Sequence, residues 1–125
     1  MLQVQMLAEA AAAPEREICG LLFGVAGEEV TAIQPCANVA ANPTETFEID
    51  PASLIAAHKA QRSGGPTLIG CFHSHPNGAG EPSLRDLESA DGEQKLWIII
   101  AHKRLRAWWI LGRESVEEVP IVSPD

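Results

Sequence analysis

Two histidines and an aspartate stand at a spacing that could hold one metal ion. His73 and His75 end an apolar, β-branched run, residues 66–71, that predicts a strand. Alternate side chains of a strand share a face, so both imidazoles can bind the same ion. Pro76 cannot donate to a β-ladder and ends the strand. With Asp86 as third ligand, a tetrahedral zinc ion keeps one position for water, which is the catalytic arrangement.

A predicted helix start brings the aspartate back to the end of this strand. Residues 77–80 form a glycine-containing loop, and Ser83 has the properties of a helix N-cap. Asp86 then occupies the third helical position, from which its carboxylate would face His73 and His75. The same Ser-x-x-Asp pattern also resembles a capping box, which is a purely structural alternative.

A glutamate near the N-terminus is the candidate general base. Hydrolysis by an activated water needs a group that takes the water proton and returns it to the leaving amine. Glu17 directly precedes the apolar run of residues 18–25, which predicts a buried strand. Glu15 lies close by, and the structural alternative is that Glu17 is a solvated residue before the strand.

These residues carry a resemblance to a known family. The His-Ser-His-Pro segment at 73–76, followed after six residues by Ser-Leu-Arg-Asp at 83–86, resembles the signature of the JAMM (MPN+) metalloproteases. The segment at 17–24 resembles the first core strand of that family, which carries its catalytic glutamate. The resemblance extends from about Leu7 to Ile121, and the signature is specific because several residue types stand at fixed spacings.

The resemblance implies a role for each of five residues. His73, His75 and Asp86 would bind zinc, and Glu17 would be the catalytic base. Ser83 would donate its hydroxyl to the developing oxyanion, a role that competes with its use as an N-cap. The implied fold is a cytidine-deaminase-like α/β sandwich with a mixed, curved sheet flanked by helices.

The resemblance also implies a reaction and a substrate class. The chain is short and resembles the compact prokaryotic members, which cleave after the C-terminal Gly-Gly of a ubiquitin-like or sulfur-carrier protein. We therefore expect a zinc metallopeptidase or isopeptidase. Two alternatives stay open at this point: a zinc hydrolase of a small-molecule amide, and a non-catalytic MPN binding module.

The cysteines offer a third alternative for the metal. The chain has three widely spaced cysteines and no Cys-x-x-Cys motif; they are Cys19, Cys36 and Cys71. This pattern fits reduced thiols in the cytoplasm. Cys71 precedes His73 by two residues and shares its face, so a structural zinc closed by Cys71 is conceivable. Its apolar neighbours favour a small buried residue instead.

Composition limits the partners. The 125 residues are expected to form one domain, residues 1–125, and 17 acidic against 9 basic residues give a net charge of −8. That charge argues against nucleic acid and against an anionic membrane surface. We expect no membrane-spanning run, no signal peptide and a cytoplasmic location, and we leave a homodimer open.

The predicted elements follow the order helix, two strands, helix, strand, helix and further strands. This order predicts an α/β sandwich with a mixed sheet and the site at the end of one strand. The predicted helices and strands span 2–13, 18–25, 29–39, 51–62, 66–75, a helix after Ser83, 96–101, 105–111 and 115–122, with turns at 27–28 and 91–92.

Overall fold

The computed structural model describes residues 2–25, 29–89 and 95–121 of the chain. The predicted turns at 27–28 and 91–92 lie outside these residues. In chain order the elements are α1 (Leu2–Ala12), β1 (Cys19–Val25), β2 (Glu29–Cys36), α2 (Pro51–Arg62), β3 (Leu68–Ser74), α3 (Leu84–Ser89), β4 (Lys95–Ala101), β5 (Arg104–Gly112) and β6 (Ser115–Val119).

The six strands form one mixed sheet in the order β2-β1-β3-β4-β5-β6, which confirms the predicted α/β class. β3 and β4 are parallel, and the other neighbouring pairs are antiparallel. β1, β3 and β4 lie in the middle of the sheet and are largely buried. Burial on both faces explains why their sequences are nearly continuous apolar runs. The parallel connection from β3 to β4 contains α3, as a crossover requires.

Helices cover both faces of the sheet. On one face, Met6 of α1 packs into a buried cluster that contains Phe72. On the other face, Ala57 of α2 packs into a cluster that contains Trp97. Each large apolar side chain buried in this way stabilises the fold by about 1.5–3 kcal/mol. The result is the predicted sandwich of a sheet between helices.

The helix ends follow the local sequence. α1 ends at Ala12, because Pro14 cannot continue a helix. Asp50 is the N-cap of α2, where its carboxylate accepts a 3.2 Å hydrogen bond from the amide of Ala52. Pro51 occupies the first helical position, at which no amide proton is needed. No helix in the described part of the chain has the length and apolar character needed to span a membrane.

Two strands, β2 and β6, end three residues earlier than predicted. β2 ends at Cys36 instead of residue 39, because the Asn38 side chain accepts hydrogen bonds from the amides of Ala40 and Glu48, each at 3.0 Å. These bonds turn the chain out of the sheet direction. β6 ends at Val119, directly before a proline. Residue 122, the predicted end of β6, lies outside the described residues.

Candidate metal centre

Three side chains meet where β3 ends and α3 begins. His73 lies in β3, and His75 is the first residue after the end of this strand. The Nε2 atoms of the two histidines are 3.0 Å apart. Oδ2 of Asp86, in the first turn of α3, lies 3.1 Å from both Nε2 atoms. The strand end and the helix start therefore bring the three groups together, as their spacing predicts.

The three side chains are shielded from solvent. His73 is 0% exposed, Asp86 4% and His75 8%. The ring of Phe47 stacks on His73 with centroids 4.2 Å apart, and Trp97 contacts the same imidazole edge-on at 5.7 Å. These aromatic rings fix the orientation of His73 and exclude water from that side of the centre.

The hydrogen bonds of His75 determine which ring nitrogen faces the centre. Nδ1 lies 2.7 Å from the carbonyl oxygen of Ala79, which only accepts, so Nδ1 carries the proton. In a neutral ring, Nε2 then presents a lone pair to Oδ2 of Asp86, which is also an acceptor. Two such lone pairs 3.1 Å apart repel each other unless a cation, either a proton or a metal ion, lies between them.

The pKa values at the centre reflect this convergence. Burial opposes ionisation of Asp86, yet hydrogen bonds with His73 and His75 hold its pKa well below the usual range. Burial also acts to lower the pKa of His75, but its hydrogen bonds to Asp86 and Ala79 outweigh burial and raise it. Burial prevails at His73, whose pKa is lowered. The carboxylate is thus ionised and ready to face a positive charge.

Ser83 and Asp86 form a reciprocal capping box at the start of α3. The amide of Asp86 donates to Oγ of Ser83 at 3.0 Å, and the amide of Ser83 donates to Oδ2 of Asp86 at 2.9 Å. The structural alternative for this pair is therefore present in the structure. It does not exclude a second use, because the same Oδ2 atom also faces the two imidazoles, and the cap fixes its orientation.

Backbone hydrogen bonds hold Glu17 at the same end of the sheet. The amide of Ser74 donates to the carbonyl of Ile18 at 3.0 Å, and the amide of Ile18 donates to Oγ of Ser74 at 2.9 Å. The amide of Glu17 donates to the carbonyl of Pro43 at 2.7 Å, and its carbonyl accepts from the Asn38 side chain at 2.8 Å. These four bonds fix the backbone of Glu17 beside the end of β3.

The carboxyl of Glu17 is buried beside the histidines. It is 5% exposed, and one ligand atom each of Glu17, His73 and His75 lies within 4.8 Å of the other two. Burial raises the pKa of Glu17 to about 7, although the charge of His75 acts to lower it. Within the described ranges, Oε1 of Glu17 has no hydrogen-bond partner. A carboxyl of this kind can exchange protons near neutral pH.

The donor set fits a divalent metal ion. The three converging atoms of His73, His75 and Asp86 are 3.0–3.1 Å apart. Ligands of a tetrahedral zinc ion, each at about 2.1 Å, are separated by about 3.4 Å, so only a small outward shift is needed. The unpartnered oxygen of Glu17 adds a buried polar group at the edge of the same space. Together these features indicate a metal site.

Cys71 does not join this centre. It is buried two residues before His73 and pairs with Leu21 and Trp97 on the neighbouring strands, within the core. In the part of the chain that the structure describes, the group of candidate ligand atoms contains Glu17, His73 and His75 but no cysteine. The geometry gives no support to a structural zinc closed by Cys71.

Three contributors to the centre escaped the sequence analysis. Phe47 stacks on His73, Asn38 binds the carbonyl of Glu17, and the carbonyl of Ala79 binds His75. No motif marks the first two, because they come from an irregular connection between β2 and α2. Ala79 acts through its backbone, which any residue would supply, so the turn-rich sequence around it was the available signal.

Comparisons with known proteins agree with the motif. The family model described as prokaryotic homologs of the JAB domain matches residues 1–111. A desampylase of Haloferax volcanii is 37% identical over 91 residues, 72% of this chain and 66% of the relative. A probable TtuB-protein conjugate cleaving protease of Thermus thermophilus is 39% identical over 62 residues, 50% of this chain and 42% of the relative. The chain thus matches less than two thirds of the length of either relative.

A solved structure shows the same fold. The solution structure of a Desulfitobacterium hafniense protein superposes with a TM-score of 0.78 and 31% sequence identity, covering 95% of this chain and 86% of that one. The family model and this superposition each cover most of the chain. We conclude that this chain belongs to the prokaryotic homologs of the JAB domain, the compact prokaryotic JAMM/MPN family that its motif resembles.

Proposed function

We propose that this protein is a zinc-dependent isopeptidase that hydrolyses the bond after the C-terminal Gly-Gly of a ubiquitin-like or sulfur-carrier protein. One observation carries the proposal. The Nε2 atoms of His73 and His75 and Oδ2 of Asp86 converge within 3.1 Å beside a buried Glu17. Three converging donors with an acid–base group at their edge are what metal-dependent hydrolysis requires, and this supports the proposal.

Zinc is the metal that we propose for His73, His75 and Asp86. Two imidazole nitrogens and one carboxylate oxygen are a ligand set that catalytic zinc uses. When bound, zinc supplies Lewis-acid chemistry and lowers the pKa of water toward ~7. The chain's own part is to orient the ligands, which Ala79 does for His75 and Ser83 does for Asp86 through hydrogen bonds at 2.7 and 2.9 Å.

Glu17 is the general base in this proposal. Its pKa of about 7 matches the requirement that one group accept a proton and later release it at neutral pH. Glu17 would take a proton from the attacking water and deliver it to the leaving amine of the cleaved bond. Hydrogen bonds to Pro43 and Asn38 hold the backbone of Glu17 in place beside the ligands.

Ser83 is proposed to stabilise the oxyanion. In the capping box, Oγ of Ser83 accepts a hydrogen bond from the amide of Asp86. A hydroxyl both accepts and donates, so capping leaves its proton for another acceptor. The N-cap and the oxyanion role are therefore compatible in geometry, because they use different parts of the same hydroxyl.

The proposed substrate follows from the family and from the chemistry of the site. The names of the relatives describe a desampylase and a protease that cleaves a protein conjugate. Two glycines beside the scissile bond have no Cβ, so the backbone of a tail could approach the buried centre closely. We therefore propose a Gly-Gly tail as the substrate. The single domain, the cytoplasmic location and a homodimer remain predictions.

A cleavage assay tests the proposal. A ubiquitin-fold sulfur carrier, extended by a peptide after its Gly-Gly end, is incubated with zinc-loaded protein, and the products are identified by mass spectrometry. We expect cleavage directly after the second glycine, cleavage slowed by ~10²–10⁴-fold with Glu17→Gln, and strong slowing when the penultimate glycine is replaced by valine. An intact carrier in the presence of zinc-loaded protein that hydrolyses a small amide would overturn the substrate assignment.

A further inference from the structure

The loop between His75 and α3, residues 76–83, connects the two histidines to Asp86, the third candidate ligand. Two consecutive carbonyls in this loop accept side-chain hydrogen bonds. That of Ala79 accepts from Nδ1 of His75 at 2.7 Å, and that of Gly80 accepts from the indole Nε1 of Trp108 at 2.9 Å. Because the carbonyls belong to adjacent residues, a bond that holds one also restricts the other.

Trp108 is itself held in place by its neighbours. Its side chain is buried in β5, opposite Trp97 of β4. The guanidinium of Arg106 lies over the indole ring, 4.8 Å from its centroid, and donates two 2.8 Å hydrogen bonds to Glu118 of β6. Arg106 also lies 3.7 Å from Glu81 of the loop. The loop is thus anchored to the sheet by Trp108, which binds Gly80 and is stacked against Arg106.

Gly80 allows this close approach. A Cβ at Gly80 would lie 2.7 Å from Cδ of Arg106, so a side chain at this position would push the arginine away from the indole. Gly80 is buried, whereas its neighbours Ala79 and Glu81 are exposed. The contact with Trp108 is therefore a local anchor in an otherwise exposed segment.

We propose that Trp108 is a positioning residue for His75. By binding the Gly80 carbonyl, the indole N–H keeps the Ala79 carbonyl on Nδ1 of His75. The proton then stays on Nδ1, and the lone pair of Nε2 faces Asp86 and the metal position. The inference rests on the proposed metal site for its functional meaning, but the orientation of His75 is a property of the metal-free chain. Backbone carbonyls that accept the second ring N–H of a histidine, as Ala79 does here, orient metal-binding histidines in general.

The test removes only the indole N–H. Trp108→Phe keeps an aromatic ring in the core but leaves the Gly80 carbonyl without its donor. In metal-free protein at alkaline pH, where imidazole is neutral, ¹⁵N NMR should show the Nδ1–H tautomer of His75 in the parent and a mixture of tautomers in the variant. The zinc affinity, measured by competition with a chelator, should fall about tenfold.

The matched control is the next residue of the same strand. Trp109 is half-buried on the opposite face of β5, so Trp109→Phe makes the same chemical change away from the loop. It should leave the tautomer and the zinc affinity at parent values, even if the unfolding temperature falls. If Trp108→Phe behaves in the same way, then Trp108 is only a core residue and the proposal is wrong.

A second variant covers the case in which Trp108→Phe does not fold. Arg106 is 36% exposed, and Arg106→Met keeps the stem beside Gly80 while removing the charge above the indole. We expect the same change in tautomer and a loss of affinity of about two- to fivefold, with the exposed Arg113→Met as control. Parent-like behaviour of Arg106→Met would contradict the anchoring. If the parent binds no zinc but Trp108→Phe still changes the tautomer of His75, then the metal proposal is wrong and the positioning role of Trp108 stands.

Discussion

Ser74 and Ile18 bind each other through two hydrogen bonds, from amide to carbonyl at 3.0 Å and from amide to hydroxyl oxygen at 2.9 Å. This pair ties the segment before β1 to the end of β3. It sets the distance between Glu17, which precedes Ile18, and the two histidines that flank Ser74. The residue between the histidines of the motif therefore has a structural task of its own.

Ser74→Ala should weaken both stability and catalysis. Loss of the hydroxyl leaves the amide of Ile18 without its partner, which costs about 1–3 kcal/mol in the free energy of unfolding. Displacement of Glu17 should lower kcat while the zinc content stays at one ion per chain. Chemical denaturation, elemental analysis and steady-state kinetics measure the three quantities. Parent-like kcat with lowered stability would mean that the pair does not position Glu17.

Asp86→Asn should separate the metal role of the aspartate from its capping role. Asparagine keeps a side-chain oxygen for the amide of Ser83 but removes the negative charge that faces His73 and His75. We expect the fold to persist and the zinc affinity to drop, as with His73→Ala and His75→Ala. Circular dichroism and elemental analysis measure both. Full zinc occupancy in Asp86→Asn would contradict its assignment as a charged ligand.

Glu17→Gln should keep zinc and lose turnover. The amide has nearly the same shape, so the bonds to Pro43 and Asn38 through the backbone remain. Only proton transfer is removed, which is typically worth ~10²–10⁴-fold in rate. Single-turnover kinetics on zinc-loaded protein measure the effect, with Glu15→Gln as the matched control. Cleavage by Glu17→Gln at the parent rate would place the base elsewhere.

Ser83→Asn should distinguish capping from oxyanion stabilisation. Asparagine is as good an N-cap as serine, so the bond from the amide of Asp86 can be replaced and the unfolding temperature should change little. If the hydroxyl stabilises the oxyanion, kcat should fall by about 10²–10³-fold. Thermal unfolding and kcat are measured on the same preparation. Near-parent activity would show that Ser83 is a cap alone.

The metal-free protein should lose stability as the pH rises above about 6.5. Burial raises the pKa of Glu17 to about 7, and the pKa of His75 is also raised, because its hydrogen bonds outweigh burial. The stabilisation from both groups is fully present below their unfolded pKa values, about 4.3 and 6.5, and is lost as the pH rises through the folded values. Asp86 has a lowered pKa, so its contribution is present above about 3.9 and is lost as the pH falls. Burial lowers the pKa of His73, so its contribution is present above about 6.5 and is lost as the pH falls, which opposes the gain from Glu17 in that range.

Denaturation with a chelator present, over a range of about pH 4 to 9, measures this profile. Glu17→Gln should lose part of the decline at higher pH, because its amide does not titrate. Added zinc should reverse the decline, since metal binds the deprotonated ligands and competes with protons. Stability that rises steadily from about pH 6.5 to 8 without metal would contradict the prediction.

The sequence alone determined the class of the fold and the convergence of His73, His75 and Asp86. Continuous apolar runs marked the central strands, Pro14 and Asp50 marked helix ends, and alternation put His73 and His75 on one face. These features are local, because backbone sterics and side-chain period decide them within a few residues. The approach of Asp86 to the two histidines was predictable for the same reason, since only a short loop and a helix cap separate them in the chain.

Tertiary structure decided what surrounds those residues. The pKa of Glu17, the ring of Phe47 on His73 and the bond from Trp108 to Gly80 depend on segments that are distant in sequence. Burial and packing are properties of the assembled sheet and its loops, and no local pattern encodes them. The motif specified the groups that could bind a metal, while the fold fixed their protonation, their orientation and their distance from the proposed base.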